Sequence, residues 1–159
     1  MEKPKPQEEH NWLRRLVGEW DYESEFSMGP DAPSGRSTGT QSIQPLGDVW
    51  IVGDWRGETP DGTSAKSLIT LGYDPAKKAF VGTFVSSMMT GLWNYEGQLK
   101  GDVLTLDTEG PSFKGDGSLA KYQDIFEIVS DDEHTLTSQA LGEDGSWTRF
   151  MTMTFRRRK

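Results

Sequence analysis

The sequence predicts an all-β chain: an antiparallel barrel of about ten strands behind one short N-terminal helix. Three observations carry this. Period-two alternation dominates from residue 18 onward. Turn signals recur roughly every 8 to 12 residues. Gly18-Glu19-Trp20 opens the first strand, so that a glycine lets the backbone leave the helix and a bulky ring then plugs one end of a small barrel.

The elements follow in order. Residues 1–7 contain Pro4 and Pro6 and form a disordered or extended tail, and residues 8–159 form the single barrel domain. Trp12, Leu13, Leu16 and Val17 recur at helical spacing within residues 8–17, and Gly18 stops the helix. Trp20, Tyr22, Phe26 and Met28 alternate with Asp21, Glu23, Glu25 and Ser27, the pattern of a strand with one buried and one wet face. Residues 29–35, with Pro30 and Pro33, form a loop. Strands at 37–46 and 49–57 are joined at Gly47-Asp48, and Thr59-Pro60-Asp61-Gly62 turns the chain into a strand at 65–73. Strands at 80–86, 91–99 and 103–108 come next. After a glycine-rich connection at 110–118, strands follow at 121–129, 135–141 and 147–156, with Asp131-Asp132-Glu133-His134 as a turn. Apolar residues on both parities, as in Phe80 to Val85, favour a barrel over a sandwich.

Composition narrows the partners. Seventeen Lys and Arg against 25 Asp and Glu leave a net charge of −8, which repels nucleic acid. The basic run at 156–159 reads as a solvated strand end. With no cysteine there are no disulfides, thiolate nucleophiles or thiolate metal sites. The polar start lacks the apolar core of a secretory signal, and no stretch approaches the ~20 apolar residues of a membrane span, so the expected location is cytoplasmic.

Several segments together carry a resemblance that covers nearly the whole chain. They are residues 10–20, Leu71-Gly72-Tyr73-Asp74-Pro75, residues 80–86, Lys121-Tyr122, Asp131-Asp132 and Met153-Thr154-Phe155-Arg156-Arg157. Their order and spacing resemble an uncharacterised bacterial family of domains of unknown function, number 1579 in its series. The resemblance implies a lipocalin-like, or calycin-like, antiparallel barrel with no established activity. In similar barrels an arginine of the last strand supports the first-strand tryptophan; Arg156 is the residue expected beneath Trp20, with Arg149 as the other candidate. The chain is also similar at Gly-x-Trp to nitrobindin-like haem barrels, which ligate iron through a histidine near their C-terminal strands. Its two histidines depart from that pattern, His10 being read on the helix and His134 in a turn.

Catalytic and metal signatures are scarce. No Gly-x-Ser-x-Gly accompanies the histidines. Gly115 to Ala120 has the spacing of a dinucleotide cradle but is followed by a strand, where that chemistry needs a helix N-terminus. Asp54, Glu96, Asp124 and Glu127 fall on strands and are read as outward and solvated. No metal cluster or cofactor is expected. What remains is a rich aromatic and methionine supply, suited to a small apolar or amphipathic ligand inside the barrel. The expected wall is Trp20, Tyr22, Phe26, Phe84, Trp93, Tyr95, Tyr122 and Met151, with Met88-Met89 at an apolar rim. The alternatives are a filled barrel acting as an oligomeric interaction module, for instance a homodimer, through Trp50, Trp55 and Met89, a haem-binding barrel, and an isomerase-like enzyme using an inward carboxylate or tyrosine.

Overall fold

The structure, a computed structural model, describes residues 1–27, 34–58 and 61–159. Among these residues the chain forms one helix, α1 (Glu8–Arg14), and ten strands. The strands are β1 (Gly18–Ser27), β2 (Ser34–Leu46), β3 (Trp50–Glu58), β4 (Ser64–Asp74), β5 (Ala79–Ser86), β6 (Trp93–Lys100), β7 (Val103–Pro111), β8 (Leu119–Ser130), β9 (Glu133–Leu141) and β10 (Trp147–Arg157). Each strand pairs antiparallel with its neighbours in sequence, and β1 pairs with β10 to close the barrel, with Tyr22 opposite Phe155. Closure leaves no sheet edge to pair with another chain.

Alternation decides what faces inward. On β1 the even positions Trp20, Tyr22 and Ser24 are buried while Asp21, Glu23 and Glu25 are exposed. On β10 a bulge between Arg149 and Met151 resets the parity, so that Met151, Met153, Phe155 and Arg157 share the inward side. The core gathers Trp20, Phe80, Phe126, Phe155, Leu71, Leu104 and Leu106, all at most 1% exposed.

The element order matches the sequence reading, with displaced ends. The helix stops at Arg14 instead of running to 17, and Arg15, Leu16 and Val17 continue as a tight turn donating back to Trp12, Leu13 and Arg14. β2 begins at Ser34 and takes in Gly35, which pairs with Phe26. Met28, the loop residues 29–33, and Thr59 and Pro60 of the expected turn lie outside the described residues. His134 corrects the predicted turn. Asp131 and Asp132 make the connection alone, and β9 starts at Glu133, which carries His134 into the barrel on the parity of Leu136 and Ser138.

Helix α1 closes the barrel end where β1 starts. The Gln7 N–H donates to His10 Nδ1 at 2.9 Å, which leaves the proton on Nε2 to donate to the Tyr73 carbonyl at 3.0 Å. One carboxylate oxygen of Asp102 accepts from the Trp12 indole at 3.1 Å and from Arg15 at 2.8 Å. The indole bond first, and Arg15 second, holds that carboxyl below its usual range. Gly18 makes the bend between helix and β1 with φ 146°, a conformation that side chains avoid, and an added Cβ would collide with the Arg157 guanidinium. Gly18→Ala is therefore expected to destabilise the fold by about 2 kcal/mol through backbone strain and displacement of Arg157. Denaturant unfolding checks this, and a midpoint equal to wild type would contradict it.

Candidate functional site

The inward face changes character along the barrel axis. At the helix end it is dry. Trp20, 1% exposed, donates from its indole N–H to the Leu16 carbonyl at 3.0 Å and meets His134 at 4.2 Å between ring centroids. Phe155 stacks on His134 at 4.5 Å. The Arg157 guanidinium lies 4.2 Å over the Trp20 ring and donates to the carbonyls of Val17, Arg15 and Asp131. This corrects the expectation for Arg156. That residue has the outward parity, lies exposed and pairs with Glu133 at 3.4 Å, while the cation on Trp20 is its neighbour. Arg149 is also elsewhere, at the opposite end of β10.

His134 is 1% exposed, and with the Gln41 Oε1 facing it at 3.2 Å its Nε2 carries the ring proton. Burial, and secondarily the Arg157 charge, pushes its pKa down to about 3, so the ring is neutral at pH 7. Although the histidine does sit in a late strand, iron would bind a ring nitrogen in the ring plane, and here Nε2 is engaged with Gln41 while Nδ1 is buried among protein atoms, so neither nitrogen is open to a haem iron. The residues do not fit that group.

Toward the other end the inward residues become partly exposed: Phe84, Trp93, Thr108, Asp124 and Met151 are half-buried, and Phe26 is exposed. An arc of rings lines this half. Trp55 meets Phe84 at 5.7 Å, Phe84 is the cross-strand partner of Trp93, Trp93 meets Tyr122 at 5.3 Å, and Tyr122 meets Phe150 at 6.1 Å. Trp93 lies against Gly110 of β7, where any side chain would occupy the space of its ring. Phe26, Gly35, Phe150 and Met151, together with the charged Glu25, Arg36 and Arg149, also line a cleft of about 480 Å³ at the mouth, within the range of small-molecule sites.

Polar groups converge in this half. Asp124 is on the inward parity between Tyr122 and Phe126, against the expectation that it faces solvent; Asp54, Glu96 and Glu127 do face outward. Its two carboxylate oxygens each accept a hydroxyl hydrogen bond, one from Tyr95 and one from Ser138. The residue keeps some exposed area, yet protein atoms surround the carboxylate closely enough that desolvation raises its pKa. Burial also raises Tyr22, Tyr95 and Tyr122, so these phenols remain neutral donors at pH 7. The indole N–H groups of Trp55 and Trp93 and the Thr108 hydroxyl are buried without a partner among the described residues.

The structure thus divides the eight residues expected as a wall. Phe84, Trp93 and Tyr122 stand together in the aromatic arc, Phe26 and Met151 line the mouth, and Tyr95 holds Asp124. Tyr22, 9% exposed, lies over Gly39 and Gly57 in mid-barrel. Trp20 stands apart, in the plug. Residues absent from the expectation are Trp55, Thr108, Asp124 and Ser138. The expected subunit contact does not assemble, because Trp55 points inward, Trp50 lies at the helix end against Gly72, and Met89 is at the mouth beside the exposed Met88. In the Gly115 to Ala120 segment residues 115–118 are a turn, in which Asp116 Oδ1 accepts from the Ser118 N–H at 2.9 Å, and Leu119 and Ala120 already belong to β8. No helix among the described residues is long and apolar enough to cross a membrane, and none of their acidic or histidine side chains group as a metal site.

Known structures share the architecture. Rv2717c from M. tuberculosis is similar at a TM-score of 0.65 and 13% identity, covering 98% of this chain and 100% of its own. EF1p2_mFAP2b, solved bound to DFHBI, is similar at a TM-score of 0.51 and 16% identity, covering 94% of this chain and 99% of its own. These likenesses show the fold. No curated protein matches the chain. The model of a family described as a protein of unknown function, DUF1579, matches residues 5–157, and the chain belongs to that family.

Proposed function

We propose that the protein is a container for a small apolar or amphipathic molecule, taken into the open half of the barrel. The observation that carries this reading is the exposure gradient along one set of inward side chains. Phe155, Leu104 and Phe80 at the helix end are sealed, while Phe84, Trp93 and Met151 on the same inner face retain exposed area. A barrel filled for stability alone would bury both halves alike, since large apolar side chains left accessible forfeit about 25 cal/mol for each Å² not removed from water. The rim supports the same reading: Met88, Met89, Leu92, Phe113, Leu119 and Trp147 are all exposed at the mouth, so an apolar ligand meets apolar surface before it enters. EF1p2_mFAP2b, a barrel of similar fold, holds DFHBI, which accords with a small molecule occupying this architecture.

Titration with the neutral fluorophore N-phenyl-1-naphthylamine tests the proposal. Saturable one-to-one binding with quenching of tryptophan emission is expected, weakened about tenfold by Trp93→Ala as one aromatic wall is lost. Absence of saturable binding, or equal affinity in Trp93→Ala, would overturn it.

A further inference from the structure

We propose that the open half of the barrel selects a cation: a protonated amine, carried on an apolar or aromatic body, that pairs with the Asp124 carboxylate. The inference rests on the container reading and names the class of ligand it holds.

Asp124 is built to be an anion. Tyr95 and Ser138 both direct their hydroxyl protons at it, one to each oxygen, and neither hydroxyl donates elsewhere in the structure. A carboxylate accepts both bonds, whereas a neutral acid in the same place would have its own proton to dispose of among groups that already donate. The placement is also central. Along the hydrogen-bonded rows, Phe26 is opposite Met151, Met151 opposite Ser138, and Ser138 opposite Asp124, so the acid shares one inward row with two mouth residues.

What this anion lacks is a counter-charge. Among the described residues, the inward positions of the open half carry no lysine, arginine or histidine. The inward Arg157 is committed to Trp20 and three backbone carbonyls at the sealed end. Arg36, Arg56, Lys66 and Arg149 are exposed: Arg36 pairs with Glu25 and Arg56 with Asp54 on the outer surface, and Arg149, opposite the outward Gln139, lines the cleft at the mouth with Arg36. A charge removed from water without an opposite charge is unfavourable, and a ligand cation supplies the missing partner. Each carboxylate oxygen accepts one bond from the protein and retains a lone pair for an ammonium N–H.

The surroundings favour the same sign. Trp93, Tyr122 and Phe84 line the same half of the barrel, and aromatic rings supply π density that attracts a cation. A fatty acid or other carboxylate that entered past the exposed Arg36 and Arg149 of the mouth would meet Asp124 with like charge. The unpartnered Trp93 N–H and Thr108 hydroxyl suit an additional acceptor, such as a hydroxyl or ether oxygen on the ligand body. Desolvation of Asp124 accords with this, because an arriving cation relieves it.

Calorimetric titration at pH 7 with three probes of one shape tests the proposal: 2-naphthylmethylammonium, 2-naphthylmethanol and 2-naphthoate. Wild type is expected to bind the ammonium roughly tenfold or more tightly than the alcohol, and the carboxylate most weakly. Asp124→Asn is expected to abolish the ammonium preference, so that the variant binds ammonium and alcohol with similar affinity. Equal binding of ammonium and alcohol by wild type overturns the cation proposal and leaves the container standing. A preference that survives in Asp124→Asn overturns Asp124 as its source. Failure of all three probes and of N-phenyl-1-naphthylamine overturns the container and the cation reading together. The wild-type comparison decides the question even if Asp124→Asn does not fold.

Discussion

Trp20→Ala is expected to lower the unfolding free energy by about 3–5 kcal/mol, the range for deleting a fully buried aromatic side chain. The loss exceeds a cavity. The Leu16 carbonyl would be left without its indole donor, His134 would lose the ring it meets at 4.2 Å, and the Arg157 guanidinium would lose the face it covers. Because these groups join β1, β9, β10 and the turn after α1, the damage falls where the closing strand pair meets the plug. Trp20→Phe separates the contributions, since it keeps a ring and loses the N–H, and about 1–2 kcal/mol is expected for it. Arg156→Ala is the control: its exposed pair with Glu133 is worth at most about 1 kcal/mol, so its unfolding midpoint should stay close to wild type while Arg157→Ala moves it. Comparable losses in the two arginine variants would contradict the assignment of Arg157 to the plug.

That pair of arginines shows what was readable in advance. Period-two alternation along Met151, Met153 and Phe155 leads to Arg157 as the next inward residue, so parity counted from the apolar run favours it over Arg156. The bulge at Phe150 is different. It sets Arg149 and Met151 opposite consecutive residues of β9, Gln139 and Ser138, and no local pattern announces the extra residue. Turn signals located the hairpins but not their limits: the run Asp131-Asp132-Glu133-His134 suits a turn by composition, yet two residues suffice and the inward parity of Leu136 draws His134 into the strand.

For the candidate site, β8 marks the boundary of legibility. Tyr122, Asp124, Phe126 and Ile128 share one face, so a carboxylate on the apolar parity stands in the sequence as an irregularity. Its partners do not. Tyr95 and Ser138 lie 29 and 14 residues away in sequence, and only the register of closed, neighbouring strands brings their hydroxyls to the same carboxylate. The aromatic arc is similar: each ring is visible as an inward residue, but the exposure that separates Trp93 from Phe80 depends on how far along the barrel axis each one falls, which alternation does not encode.

Acidification is the second large effect expected, and His134 is its origin. In the folded protein its pKa is about 3, against 6.5 for the free side chain, so between these values the unfolded chain binds a proton that the fold excludes. Stability contributed by the neutral ring is fully present above pH 6.5 and falls by about 1.4 kcal/mol per pH unit on the way down, roughly 4–5 kcal/mol by pH 3. Protonation would place a second cation beside Arg157 and set a charge between Trp20 and Phe155. Asp124 acts with the opposite sign. Its pKa is raised in the fold, so acidification from that raised value down to about 3.8 favours the folded state and masks part of the histidine effect. The comparison is therefore made in Asp124→Asn, with and without His134→Gln, by urea unfolding at intervals from pH 4 to 7. The single variant should lose stability steadily below pH 6.5, and the added glutamine should flatten that slope by about one proton, whatever it does to stability at pH 7. A slope unchanged by His134→Gln, or an imidazole resonance of His134 that titrates near 6.5 in the native protein, would remove the sealed end as the pH-sensitive part of the barrel.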